Sequence, residues 1–127
     1  MPHLRIDYTA NLDPQVDMQG LCTALASAMA SLLDVFGNPV FPLAGTRVLA
    51  FPAPFHAVGD GQPGNSFMYL NLRVTPGRSS ETVRVAGNAL LAVVRAHVDA
   101  AGLGAPLAVT LHIDELAASY EGRYRPA

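Results

Sequence analysis

Residues 66–98 read SFMYLNLRVTPGRSSETVRVAGNALLAVVRAHV, and this stretch predicts a strand, a turn and a helix in direct succession. Residues 66–74 combine aromatic and aliphatic side chains as a strand does. TPGR predicts the turn, and Ser79 or Ser80 can cap the helix that follows it, with Glu81 in the first turn. Apolar residues then recur at helical spacing: Val83, Gly87, Leu90, Leu91, Val94, Val98 and Ala101.

The same order of elements is predicted on both sides of this stretch. GLGAP stops the helix, and LAVTLHI at 107–113 predicts another strand. Near the start of the chain, residues 3–8 alternate as a strand does, a helical pattern runs to Phe36 before Gly37, Asn38 and Pro39 end it, and TRVLAF at 46–51 predicts a second strand. IDYT and LRVT occupy the same place ahead of the two helices, so the chain reads as two copies of one β-α-β unit.

These units predict an α+β fold with a four-stranded mixed sheet and two helices on one face. We interpret residues 1–127 as a single domain with approximate repeats at 1–53 and 66–115. Such a sheet leaves its other face bare. Charged residues make up 14% of the chain and hydrophobic residues 50%, against roughly 25% charged in average domains. Both observations predict that copies of the chain cover one another in a homo-oligomer.

Composition excludes several classes of function. The net charge is −2 without a basic cluster, which argues against nucleic acid as a partner. No apolar run approaches the ~20 residues of a membrane helix and no secretory signal is visible, so we expect no membrane partner and a cytoplasmic location. The single cysteine, Cys22, lies in an apolar helical pattern and is interpreted as a core residue. Because the chain has no lysine, lysine Schiff-base chemistry is absent.

Three residues are candidates for the chemistry. If Met1 is removed after translation, Pro2 becomes a secondary amine, and an apolar pocket or nearby arginines would favour its neutral, basic form. Arg78 directly precedes a helix N-terminus, where a cation is misplaced unless an anion lies nearby. Arg47 opens a strand, and two arginines at one pocket would suit a dianionic substrate. A frayed terminus and solvent-exposed arginines remain the alternative interpretation of these residues.

The histidines do not extend this set. His3, His56, His97 and His112 show no metal-ligand spacing, so we predict no metal site. Asp114 and Glu115 are adjacent at a strand end and would point to opposite sides.

Five short motifs in order resemble the tautomerase superfamily, and within it the branch of 5-carboxymethyl-2-hydroxymuconate isomerase. They are MPH at 1–3, FPLAGTR at 41–47, DGQ at 60–62, TPGRS at 75–79 and IDEL at 113–116. The resemblance implies two β-α-β units assembled as a homotrimer, with an amino-terminal proline in a pocket at the subunit boundary. It implies Pro2 as the general base and Arg47 and Arg78 as substrate-binding residues, without a metal or cofactor.

The implied activity is that of a proline-dependent tautomerase or isomerase acting on a small unsaturated carboxylic enol or dienol from aromatic catabolism. A decarboxylase or hydratase on a related unsaturated acid would use the same base and remains an alternative. So does an inactive trimeric binding module, because retention of Met1 would turn the Pro2 nitrogen into an amide. The loop at 53–65 and the polar tail that begins at residue 114 carry no assigned role.

Overall fold

The computed structural model describes residues 2–126 and contains two helices packed on one four-stranded sheet. The removal of Met1 concerns a residue outside this range. Along the chain the elements are β1 (His3–Thr9), a short 3₁₀ helix (Ala10–Leu12), α1 (Met18–Ser31), β2 (Arg47–Ala53), β3 (Ser66–Val74), α2 (Ser80–Ala101) and β4 (Leu107–Glu115). The prediction of two successive β-α-β units is confirmed.

The sheet is mixed, with the strand order β2-β1-β3-β4. β1 and β2 run parallel, as do β3 and β4, because a helix carries the chain back between the strands of each pair. The two units meet where β1 pairs antiparallel with β3. This pairing places His3 between Arg47 on β2 and Arg73 on β3. The beginning of β1 therefore lies beside the beginning of β2 and the end of β3.

The core fills the space between the sheet and both helices. Alternate residues of the central strands turn toward the helices, and Leu4, Ile6, Met68, Leu70 and Leu72 are fully buried there. The helices contribute Leu21, Leu25 and Met29 from α1, and Ala86, Leu90 and Val94 from α2. Both helices thus lie on one face of the sheet, as predicted.

The opposite face of the sheet carries a mixture of polar and aromatic side chains. Arg5 contacts Asp7 at 3.2 Å and lies over the ring of Phe51, whose centroid is 4.4 Å away. Farther along, the Tyr69 hydroxyl lies 2.8 Å from Nδ1 of His112. Phe51 is 41% exposed although it sits on a strand. No element of residues 2–126 covers this face, which we name the open face.

α2 begins and ends where its sequence predicts. The Ser79 hydroxyl accepts a hydrogen bond from the Thr82 amide at 3.1 Å and so caps the first turn. Gly102 ends the helix with φ at +62°, a left-handed conformation that glycine adopts without a steric penalty.

α1 is shorter than predicted, because it ends at Ser31 instead of continuing to Phe36. The Asp34 carboxylate accepts hydrogen bonds from the amides of Phe36 at 2.9 Å and Asn38 at 3.0 Å. These side-chain bonds hold the segment in a turn that competes with helix formation. Phe36 is consequently 85% exposed and does not join the core. Neither helix within residues 2–126 has the length and hydropathy to cross a membrane.

Candidate functional site

Pro2 and Arg47 are adjacent at the end of the sheet where β1 and β2 begin. Pro2 is fully buried, and its carbonyl accepts a hydrogen bond from the Arg47 amide at 3.3 Å. Proline suits the start of a strand because it has no amide hydrogen to offer the sheet. The sequence therefore brings the proposed base and one proposed substrate-binding residue together through main-chain pairing.

The Arg47 side chain faces a cavity of about 430 Å³. Its Nε donates to the Gly45 carbonyl at 3.3 Å, which fixes the stem of the side chain near the start of the strand. The cavity is lined by residues from two segments of the chain: Pro42, Ala44, Gly45 and Arg47 before and at the start of β2, and Gly122, Arg123, Tyr124 and Arg125 in the C-terminal tail. We name it the Arg47 cavity.

Arg78 lies in the turn between β3 and α2, at the same end of the sheet. Its Nε donates to the Val40 carbonyl at 3.0 Å and its Nη1 donates to the Thr75 carbonyl at 2.8 Å. The guanidinium also lies 5.1 Å from the centroid of the Phe41 ring. These contacts hold the arginine across the segment that leads from α1 to β2.

Arg78 lines a second cavity of about 490 Å³, together with Asp34, Pro76, Ser79 and Thr82 among others. Within the one chain described, Arg47 and Arg78 therefore face different cavities. The roles of Pro2, Arg47 and Arg78 accordingly stay a prediction.

Three guanidinium groups surround His3 at the start of β1. The pKa of His3 is lowered from its ordinary value of 6.5, first by burial and then by the charges of Arg47, Arg73 and Arg5. Desolvation and neighbouring cations both disfavour the imidazolium. An anion bound here would meet the same three guanidinium groups with the opposite, favourable sign.

Sequence reasoning missed the contribution of the C-terminal tail. Residues 116–126 form no helix or strand, yet residues 122–125 complete the Arg47 cavity. The signal was present in the composition, because Arg123 and Arg125 are two of the eight basic residues and both lie within the last five positions. No periodicity or motif connects such a tail to the start of β2, so only the fold reveals the contact.

Comparison with known proteins identifies the family of the chain. The family model of 5-carboxymethyl-2-hydroxymuconate isomerase matches residues 2–125. A 5-carboxymethyl-2-hydroxymuconate Delta-isomerase of Escherichia coli is 28% identical over 116 residues, which span 91% of this chain and 87% of that protein.

Two solved structures are similar over nearly the whole chain. A 5-carboxymethyl-2-hydroxymuconate delta-isomerase has a TM-score of 0.92 and 40% identity, covering 98% of this chain and 89% of the other. The corresponding isomerase from Deinococcus radiodurans R1 has a TM-score of 0.82 and 28% identity, with 98% and 90% covered. The chain belongs to the 5-carboxymethyl-2-hydroxymuconate isomerase family and is an isomerase of the tautomerase superfamily.

Proposed function

We propose that this isomerase uses the amino-terminal nitrogen of Pro2, freed by removal of Met1, to isomerise a small unsaturated carboxylic enol or dienol. The substrate would be 5-carboxymethyl-2-hydroxymuconate or a close analogue from the breakdown of aromatic compounds. The observation that carries the proposal is the burial of Pro2 against Arg47 in a chain of this family.

The proposed reaction moves one proton and requires no other reactant. The neutral pyrrolidine nitrogen takes a proton from the enol or dienol, leaving a delocalised enolate. The pyrrolidinium then returns the proton to another position on the conjugated chain, so that the base is regenerated. Burial and the adjacent Arg47 both favour the neutral amine over the ammonium form. The proton can therefore be accepted near neutral pH.

The arginines are proposed to stabilise the anionic groups of substrate and intermediate. A guanidinium binds a carboxylate through two parallel hydrogen bonds, and it stabilises the enolate oxygen as negative charge develops there. Arg47 is next to Pro2, whereas Arg78 faces its own cavity.

We further propose that the enzyme works as a cytoplasmic homotrimer, in which other copies cover the open face. Phe51 and Leu49 on β2 are 41% and 36% exposed in the single chain, and both would gain from such cover. An assembly can also bring the Arg78 cavity of one copy toward the Pro2 end of another, which would unite the two arginines around one substrate.

Replacement of the base tests the mechanism directly. Pro2→Ala leaves the carbonyl that pairs with Arg47 in place, so the strand pairing should persist. Because the secondary amine is lost, we expect turnover of the enol, followed by ultraviolet absorbance, to fall by at least about 10²-fold. Pro14→Ala changes an exposed turn proline beyond the far end of β1 and is the matched control.

Intact-mass measurement of natively processed protein provides the second arm. The proposal requires a mass lower by one methionine than that of the full sequence. Retention of Met1 in active protein, or unchanged turnover by the Pro2→Ala variant, would refute the proline mechanism.

A further inference from the structure

The C-terminal tail forms one wall of the Arg47 cavity. Residues 122–125 line this cavity together with Pro42, Ala44, Gly45 and Arg47. The enclosed volume of about 430 Å³ is within the range of sites that bind small molecules. The tail is therefore in a position to contact a ligand that reaches Arg47.

The lining of this cavity is strongly basic. Among residues 2–126 its lining carries three guanidinium groups, from Arg47, Arg123 and Arg125, and no carboxylate side chain. This is a local concentration of positive charge in a chain whose net charge is −2. Such a cavity favours anions, and its three planar guanidinium groups suit carboxylates in particular, because each can form two parallel hydrogen bonds with one carboxylate.

The two tail arginines are available to a ligand. Arg123 pairs with Glu121 at 2.6 Å, but the two side chains are 59% and 46% exposed, so water already competes for this contact. Arg125 makes no hydrogen bond or ion pair within residues 2–126. A carboxylate arriving in the cavity would therefore displace little existing structure.

We propose that Arg123 and Arg125 bind a second carboxylate of the substrate, which makes the tail the element that selects acids with two or more carboxylates over monocarboxylic acids. The inference rests on the proposed function, because it assigns the tail to the substrate that Pro2 and Arg47 receive. Arg47 connects the two parts, since its amide pairs with Pro2 and its side chain lines the cavity. The reacting carbons would then lie toward Pro2 and the second carboxylate toward the tail.

A pair of stable ligands isolates the contribution of the second carboxylate to binding. Muconate and sorbate are both six-carbon dienes, and they differ in having two carboxylates and one, respectively. Their affinities are measured by calorimetry on the full chain, on Arg123→Ala, Arg125→Ala and the double variant, and on Arg84→Ala as a control. Arg84 is an exposed arginine of α2 that pairs with Glu81 and lies outside both cavities.

We expect the full chain to bind muconate more tightly than sorbate. The double variant should lose about tenfold or more of its muconate affinity, the loss typical of a charge-assisted hydrogen bond, with sorbate binding unchanged. Arg125→Lys should restore part of the preference, and Arg84→Ala should keep all of it. Because the tail is exposed, these variants should keep the thermal stability of the full chain.

Two results would overturn the inference. One is equal or undetectable binding of both ligands by the full chain, and the other is a preference for muconate that survives the double variant. Binding is measured without turnover, so the outcome is independent of the Pro2→Ala experiment. Loss of the proline mechanism with retained selection by the tail would reject the proposed function alone.

Discussion

Replacing Arg78 by alanine tests whether this residue supports the fold as well as facing a cavity. The guanidinium donates to the Val40 carbonyl at 3.0 Å and to the Thr75 carbonyl at 2.8 Å, and it lies 5.1 Å from the centroid of the Phe41 ring. Each hydrogen bond contributes about 1 kcal/mol, and the contact with the ring adds about 0.5 kcal/mol. We therefore expect Arg78→Ala to lower the free energy of unfolding by about 2.5 kcal/mol.

The matched control is Arg84→Ala on the exposed surface of α2. Arg84 pairs with Glu81 at 2.7 Å, but the two side chains are 64% and 63% exposed. Such a pair contributes about 0.5 kcal/mol or less. Urea denaturation followed by circular dichroism, at one protein concentration for all variants, gives both values.

A difference between the two variants of less than about 0.5 kcal/mol, which is the additivity error for separate sites, would refute this reasoning. In that case the contacts of Arg78 with Val40 and Thr75 would contribute nothing to stability. If the expected difference is found, the lower activity of an Arg78→Ala variant cannot be ascribed to substrate binding alone. Arg78→Lys then becomes the better probe of the anion site, because it keeps the charge while losing the planar fork.

Two further predictions concern the core and the Pro2 end of the sheet. Leu90 is fully buried on α2, so Leu90→Ala should lower the free energy of unfolding by about 3 kcal/mol. The control Val85→Ala changes a position that is 47% exposed and should lower it by less than about 1 kcal/mol. Similar losses for the two variants in urea denaturation would contradict the packing described. Because the pKa of His3 is lowered below 6.5 in the folded chain, the unfolded chain binds this proton first as the pH falls. The free energy of unfolding is therefore highest above about pH 6.5 and decreases as the pH falls through that value toward the lowered pKa. We expect His3→Gln to reduce the decrease in this free energy measured between pH 7.5 and 5.5. The exposed His56→Gln is the control, and an unchanged pH dependence in the His3 variant would reject the assignment.

Much of the fold could be predicted because its elements depend on local rules. Alternation in β1 and the apolar stripe of α2 each report one buried face, and Ser79 and Gly102 mark the ends of α2. The repetition of this pattern was sufficient to predict a mixed sheet with both helices on one face. Those features require no knowledge of distant contacts.

Other features depend on contacts that local patterns do not encode. The apolar residues beyond Ser31 continue the helical spacing of α1. The helix nevertheless ends at Ser31, and the Asp34 carboxylate accepts hydrogen bonds from two amides in the turn that follows. Pro2, Arg47 and Arg78 could be singled out one by one, yet the separate cavities that Arg47 and Arg78 line follow from side-chain directions in three dimensions. The tail is the extreme case, because residues 122–125 line a cavity with Arg47 although they are far from it in the sequence.

The antiparallel pairing of β1 with β3 relates the two β-α-β units by an approximate twofold axis. Under the proposed mechanism the two ends of the sheet are nonetheless inequivalent, because the chain runs unbroken from Asn65 into Ser66 where the second unit begins. A peptide nitrogen there has no basicity, so the second unit repeats the scaffold without repeating the acid-base centre. Under that mechanism each polypeptide carries one reactive amine, and a circular permutant opened before Ser66 would move the free amino terminus to the opposite end of the sheet.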